Sequence, residues 1–129
     1  MKNKSGFTLI EFALVVCFVS LVTVFFFIQK ANLDAYNRDA DRKTAINAMY
    51  YALEESFYKA NNYYPEQISE TNLTVISPEL WTDPDGYNFG DSLSSYSYET
   101  ANCFQGKCKE YTLKAVLEKE ADYIKTNRN

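Results

Sequence analysis

A long apolar run lies near the start of the sequence, and it contains a single charged residue. From Phe7 to Ile28 the sequence is almost wholly apolar, and Glu11 is its one charged residue. As a helix rising about 1.5 Å per residue, the run would measure about 33 Å, close to the roughly 30 Å of a bilayer's hydrocarbon core. A carboxylate at the centre of a bilayer is disfavoured by roughly 2.5 to 3.5 kcal/mol, so such acids usually have a partner and a task. We therefore interpret Glu11 as a functional residue.

The residues on either side of the apolar run predict its topology. Lys2 and Lys4 precede the run without an intervening acid, so the positive-inside rule keeps the N-terminus in the cytoplasm. The residues that follow Ile28 are then expected outside. Gln29 and Lys30 offer no small-residue site for a signal peptidase, so the run should stay on the mature protein. The sequence therefore predicts a single-pass protein of the cytoplasmic membrane.

The hexapeptide before and within the start of the run carries a family resemblance. Gly6-Phe7-Thr8-Leu9-Ile10-Glu11, after a short basic leader, resembles the class III signal of type IV pilins and pseudopilins. The resemblance implies that a prepilin peptidase cuts between Gly6 and Phe7 and that the new N-terminus at Phe7 is methylated. The chemistry agrees, because glycine has no side chain to obstruct a protease and the cut removes the basic anchor.

The resemblance also implies a partner for Glu11. In the family's filaments its carboxylate would lie near the charged amine of Phe7 of a neighbouring subunit. A buried charge left alone is worse than a buried pair, so this pairing would penalise a subunit docked out of register. The alternative is an unrelated partner within the bilayer. The implied partners are further copies of the chain in a helical filament, the prepilin peptidase, an assembly ATPase with its inner-membrane platform, and the cytoplasmic membrane. The resemblance also implies that the chain moves from the cytoplasmic membrane into a cell-surface pilus.

The rest of the chain predicts an α+β fold. No Gly or Pro interrupts the sequence from Phe7 to about Asn61, which predicts one helix of about 80 Å. The outer half of this helix carries an apolar stripe, which we expect to pack against a small antiparallel sheet. The stripe consists of Ile46, Met49, Tyr50, Leu53, Phe57 and Ala60. The predicted regions are a leader at 1–6, a transmembrane and assembly helix at 7–28 and an extracytoplasmic pilin-like domain at 29–129.

Charged residues fill the helix between the apolar run and the stripe. These residues are Asp34, Arg38, Asp39, Asp41, Arg42 and Lys43. Their pattern favours a solvated helix surface, with specific salt bridges between subunits as the alternative.

Three segments after Pro65 are strand candidates. They are 73–76, 95–100 and 110–118, bounded by turn residues. The last alternates most clearly, with Tyr111, Leu113, Ala115 and Leu117 on one face, as a half-buried strand requires. The charged tail after Glu118 is expected either to form a short helix or to fray.

Two cysteines bracket a short turn between strand candidates. In an extracytoplasmic domain, Cys103 and Cys108 predict a disulfide that closes a hairpin tip. Half of a metal site, or free thiols, is the alternative, although no second Cys or His pair is present to complete zinc coordination. The resemblance favours the disulfide, because pilins often close a C-terminal loop in this way.

The Asp-Pro-containing stretch from Trp81 to Tyr87 resembles a loop that pseudopilins place before their sheet. In some of them a nearby loop holds calcium, and Asp83, Asp85 and Asp91 could supply oxygen ligands. The spacing does not fit an EF-hand loop, and Asp-Pro-Asp-Gly is first of all a turn signal. We therefore expect no metal, with calcium at these three acids as the alternative.

Composition argues against catalysis and against broad nucleic-acid binding. The chain has no histidine and no phosphate-binding glycine loop, so we expect neither an enzyme nor a cofactor. Loss of Lys2 and Lys4 would take the basic residues from 13 to 11 against 17 acids, a net charge of −6. Such a surface leaves DNA as a partner only at the level of a filament.

The expected function is a structural subunit of a type IV pilus-like filament that serves adhesion, twitching motility or DNA uptake. A pseudopilin of a type II secretion or competence machine is one alternative, and a membrane-anchored binding domain that never polymerises is another.

Overall fold

A computed structural model describes residues 6–128, so the predicted leader lies outside the described residues except for Gly6. A long helical stretch is followed by small antiparallel sheets, which confirms the α+β prediction. Helix α1 spans Leu9–Tyr51, a π-helical segment spans Ala52–Phe57 and helix α2 spans Tyr58–Asn61. The predicted end near Asn61 is confirmed. The stretch stops because Asn62 is left-handed, with φ of 60°, and its N–H donates to the Tyr58 carbonyl at 2.7 Å.

The chain divides into two compact units, one up to Asp34 and one from Ala35 onward. In the first unit every described side chain from Gly6 to Ala31 is exposed. The second unit contains the buried core. There the predicted helix stripe supplies Ile46, Met49 and Leu53, all fully buried, whereas Ala60 at its end is exposed.

The second unit carries two antiparallel sheets. Strands β1 (Tyr64–Pro65) and β3 (Lys107–Cys108) pair with each other. Strands β2 (Tyr96–Ala101), β4 (Glu110–Ala115) and β5 (Tyr123–Thr126) form a three-stranded sheet in the order β2-β4-β5. The strand predictions at 95–100 and 110–118 are confirmed within a few residues. The predicted inner face of the second is buried throughout: Tyr111, Leu113, Ala115 and Leu117.

Two predictions about the loops and the tail are wrong. Residues 73–76 form turns, in which the Leu73 amide donates to Ser69 and the Ile76 amide to Leu73, and both apolar side chains are buried as anchors. The tail neither forms a helix nor frays. It pairs with β4 as an edge strand, with Ile124 opposite Lys114. The charged sequence of the tail does not predict a strand, and the strand forms because β4 supplies its hydrogen-bond partners.

The core joins the helix to the sheet. Met49 and Leu53 belong to the same buried cluster as Leu113, Tyr111 and Trp81. Burial of such side chains is the main favourable contribution to folding, about 1.5 to 3 kcal/mol for each large apolar residue. The apolar stripe of the helix therefore packs in one core with the antiparallel sheet, as the sequence predicted.

Candidate functional site

The bond that the resemblance marks for cleavage lies in open, non-helical backbone. Gly6, Phe7 and Thr8 precede α1, and among the described residues no atom lies within 4 Å of the place a Gly6 side chain would take. Phe7 is 76% exposed. Within the described residues, the backbone at Gly6 and the Phe7 side chain are therefore not covered by the rest of the chain.

Glu11 is bound to the start of its own helix. Its Oε2 accepts hydrogen bonds from the Thr8 amide at 2.8 Å and from the Thr8 hydroxyl at 2.9 Å, and the Thr8 hydroxyl accepts in turn from the Glu11 amide at 3.3 Å. The Thr8 carbonyl accepts the first helical bond, from Phe12. Thr8 and Glu11 therefore form a capping box, which satisfies otherwise unpaired donors at the helix N-terminus.

Sequence reasoning missed Thr8. Its signal was present, because Ser or Thr followed three residues later by Glu is the pattern of a capping box. An acid in the first turn also interacts favourably with the helix dipole. The structure thus gives Glu11 a partner within its own chain, Thr8, which differs from the partner that the resemblance implies.

The helix after Glu11 is apolar on all sides. Its large side chains are exposed from Leu9 to Ile28, including the run Phe25, Phe26 and Phe27. Ser20 and Thr23 do not add polarity, since their hydroxyls donate to carbonyls of Cys17 and Val19 in the same helix. A helix that is apolar all round belongs in a membrane or within a bundle of other helices.

The predicted disulfide between Cys103 and Cys108 is present. It closes the connection between β2 and β4, as expected for a hairpin tip. The enclosed turn is also tied by a bridge between Phe104 and Lys107, while Gly106 takes a left-handed φ of 76°. The tip is therefore fixed covalently and by backbone pairing.

Asp83 is the organising acceptor of its loop. Its Oδ1 accepts from the amides of Asp85 at 3.0 Å and Tyr87 at 2.9 Å, and its Oδ2 accepts from the Ser95 amide at 2.8 Å and the Ser95 hydroxyl at 2.9 Å. Burial disfavours the charged carboxylate, but these hydrogen bonds outweigh it and lower the pKa of Asp83. Its carboxylate is committed to the loop itself.

The other two acids of the predicted calcium alternative face different partners. Asp85 Oδ2 lies 2.5 Å from Arg42 Nη2, and Asp91 Oδ2 accepts from the Asn88 amide at 2.9 Å. Within residues 6–128, no three His, Cys, Asp or Glu side chains gather as a metal site requires. The structure therefore does not bring Asp83, Asp85 and Asp91 together for calcium.

The charged stretch of the helix is not simply a solvated surface. Arg42 is 2% exposed, and its Nη1 lies 2.8 Å from both Asp39 Oδ1 and Glu118 Oε1. Arg38 also binds Glu118, at 2.6 Å. The prediction of a solvated face is wrong for Asp39 and Arg42, because their partners come from distant segments of the same chain.

The partners shift the pKa values of two acids in this network. Burial disfavours charge on Asp39, but hydrogen bonds from the amides of Glu118 and Lys119 and from Arg42 outweigh it and lower its pKa. Hydrogen bonds from Arg38 and then Arg42 lower the pKa of Glu118 to about 2. Both carboxylates are therefore charged at neutral pH.

A second buried acid, which the sequence did not reveal, lies in the π-helical segment. Glu54 Oε1 accepts from the hydroxyls of Tyr64 at 3.1 Å and Tyr111 at 2.9 Å and from the Arg128 amide at 3.1 Å. Burial, and then the hydrogen bond to Glu54, raise the pKa of Tyr111. Glu54 thus ties the helix, the sheet and the C-terminal segment to one carboxylate.

No protein-family model, no curated protein and no solved structure matches this chain. The helical stretch Leu9–Asn61 is long and apolar enough to be a candidate membrane span near the N-terminus. What the fold and the site define is an α+β protein with a candidate membrane helix and a disulfide-closed second unit.

Proposed function

We propose that this chain is a structural subunit of a type IV pilus-like filament. A prepilin peptidase cuts after Gly6, Phe7 is methylated, and subunits leave the cytoplasmic membrane to pack through their N-terminal helices. Identical subunits joined head to tail by a contact that does not close generate such a helical fibre. A cytoplasmic assembly ATPase and its membrane platform drive the process.

One observation carries this proposal: an exposed helix that is apolar all round, with one acid at its start. In the membrane, lipid covers the helix from Leu9 to Ile28, and in a filament neighbouring helices replace the lipid. In the proposed filament the Glu11 carboxylate meets the Phe7 amine of the next subunit. Because an unpaired charge in an apolar bundle is strongly disfavoured, this pair sets the register of assembly.

The first test is the N-terminal mass of the chain in sheared surface fibres and in the membrane fraction of the same cells. Methylated Phe7 that is abundant in fibres supports the filament subunit. Processed protein confined to the membrane instead favours a pseudopilin of a secretion or competence machine. A chain that keeps Met1 everywhere contradicts assembly and leaves the membrane-anchored binding domain.

The second test removes the acid. We expect Glu11→Val to lower the yield of fibres about tenfold or more, because the Phe7 amine would be buried without its partner. Asp34→Val is the matched control, since Asp34 is an exposed acid of the same helix outside the apolar run. Normal fibre yield from Glu11→Val would refute the role of the pair, and an equal loss from both variants would reduce it to a general effect of charge.

A further inference from the structure

One loop of the second unit carries a triplet that the proposed function does not use. Asn72-Leu73-Thr74 has the form Asn-x-Thr with x other than proline, which is the acceptor sequence for attachment of a sugar to an asparagine side chain. The sequence contains one other triplet of this kind, Asn3-Lys4-Ser5, and it lies in the leader that the proposed cut removes. The processed chain therefore keeps a single acceptor triplet, at Asn72.

The triplet lies in a surface loop, which is the setting that this motif requires. Residues 66–77 contain neither helix nor strand, and the residues around Asn72 and Leu73 are exposed: Glu70, Thr71, Thr74 and Val75. Leu73 is 2% exposed and anchors the middle of the triplet in the core. Release of one such side chain costs about 1.5 to 3 kcal/mol, whereas unfolding of a whole domain costs about 5 to 15 kcal/mol. The triplet therefore opens to an enzyme far more easily than the unit unfolds.

The hydrogen bonds of Asn72 are compatible with a sugar on its side chain. Its Oδ1 accepts from the Ser69 amide at 2.9 Å, and its Nδ2 donates to the Gln67 carbonyl at 2.8 Å. The side-chain amide has two N–H donors, and attachment of a sugar to Nδ2 replaces only one of them. The modified side chain keeps the one donor that the bond to Gln67 uses, so Asn72 can hold the folded loop with the sugar attached.

We infer that Asn72 is an N-glycosylation site, modified outside the cytoplasm by a transferase. The second substrate is a sugar whose anomeric carbon is activated by a bond to a phosphate. In the transfer, Asn72 Nδ2 forms a bond to that carbon while the bond from the carbon to the phosphate oxygen breaks. The phosphate leaves with the electron pair of that bond, and one Nδ2 proton passes to a base of the transferase. The inference goes beyond the proposed function, because it requires the second unit to lie outside the cytoplasm but requires no fibre.

The test is the mass of the peptide that contains Asn72, cut from the full chain of native cells after purification from the membrane and fibre fractions. We expect this peptide to carry the added mass of a glycan in the wild type. Asn72→Gln and Thr74→Ala should both lose the added mass completely, because each removes a residue that the motif requires. Thr74→Ser should keep it, since serine satisfies the same motif. Thr71→Ala is the matched control, because it removes an exposed hydroxyl of the same loop outside the triplet, and it should also keep the glycan.

An unmodified Asn72 peptide from wild-type native cells would overturn the inference, while fibres from the same cells would leave the proposed function standing. A glycan that survives Asn72→Gln, or that is lost from Thr71→Ala, would also overturn it, because the sugar would then depend on another residue of the loop. A glycan on Asn72 in cells that form no fibre would support the inference and contradict the proposed function. Among the described residues the Thr74 side chain has no hydrogen-bond partner, so Thr74→Ala leaves the contacts of the loop in place. Unchanged fluorescence of the buried Trp81 in the purified full-length variants would show that they fold.

Discussion

Replacing Arg42 with methionine tests whether the buried ion network holds the second unit together. Methionine keeps an apolar stem of similar length but removes the guanidinium, which contacts Asp39, Glu118, Asp85 and the Ser95 hydroxyl. The Arg42 side chain is 3% exposed, so its loss leaves a buried carboxylate on Asp39 with only backbone donors. Breaking a buried pair from one side costs about 3 to 5 kcal/mol, and we expect a loss near the lower value.

The assay is denaturant unfolding of the full-length chain in detergent, followed by the fluorescence of Trp81. This is the only tryptophan in the sequence, it is 5% exposed, and it lies in the core of the second unit. With a urea m value of about 1.5 kcal/mol per M, a loss of about 3 kcal/mol lowers the midpoint by about 2 M. The protein should therefore unfold at clearly lower urea.

Arg38→Met is the matched control, because Arg38 binds the same Glu118 from a side chain that is 37% exposed. Exposed ion pairs contribute little to stability, so its midpoint should move much less. Equal shifts for the two variants, or a loss of less than about 1 kcal/mol for Arg42→Met, would refute a special role for the buried guanidinium.

Two further predictions concern other acids of the fold. The pKa of Glu118 falls from its ordinary 4.5 to about 2 on folding, so its contribution is present above pH 4.5 and is lost as pH falls towards 2. The unfolding midpoint should drop across that range, and Glu118→Gln should flatten the drop; an unchanged pH profile in this variant would contradict the pairing. Tyr111→Phe removes a hydrogen bond to the buried Glu54 carboxylate and should cost about 1.5 to 3 kcal/mol in the same unfolding assay. A loss within error of zero would show that the remaining donors satisfy Glu54.

The parts of the fold that the sequence predicted are those with local signals. The helical stretch ends near Asn61 because residues next to it in the chain decide its end. The alternation around Leu113 announces a half-buried strand by itself. The capping box of Thr8 and Glu11 belongs with these features, since its pattern spans only four residues. It was missed because Glu11 was interpreted through its membrane setting and not through its helix position.

The features that could not be predicted depend on contacts between distant parts of the chain. Ile124 becomes part of a strand only because β4 offers it a free edge. The residues around Ile124 are mostly charged and show neither a helical nor a strand periodicity. Arg42 and Glu118 are separated by 76 positions, and Glu54 and Tyr111 by 57. The periodicity of residues along the sequence gives no indication of such distant pairs.

These distant contacts also explain why a charge pattern misleads in a helix such as α1. Charge along a helix indicates a solvated surface when nothing else in the chain can compensate it. Here the chain returns twice, at Asp85 and at Glu118, and compensates the Arg42 guanidinium from the other side. Asp39 and Arg42 are thereby buried on the same side of the helix as Ile46 and Met49. The helix therefore keeps the buried apolar side of an amphipathic helix, and that side accommodates two charged residues because other segments of the chain compensate the Arg42 guanidinium.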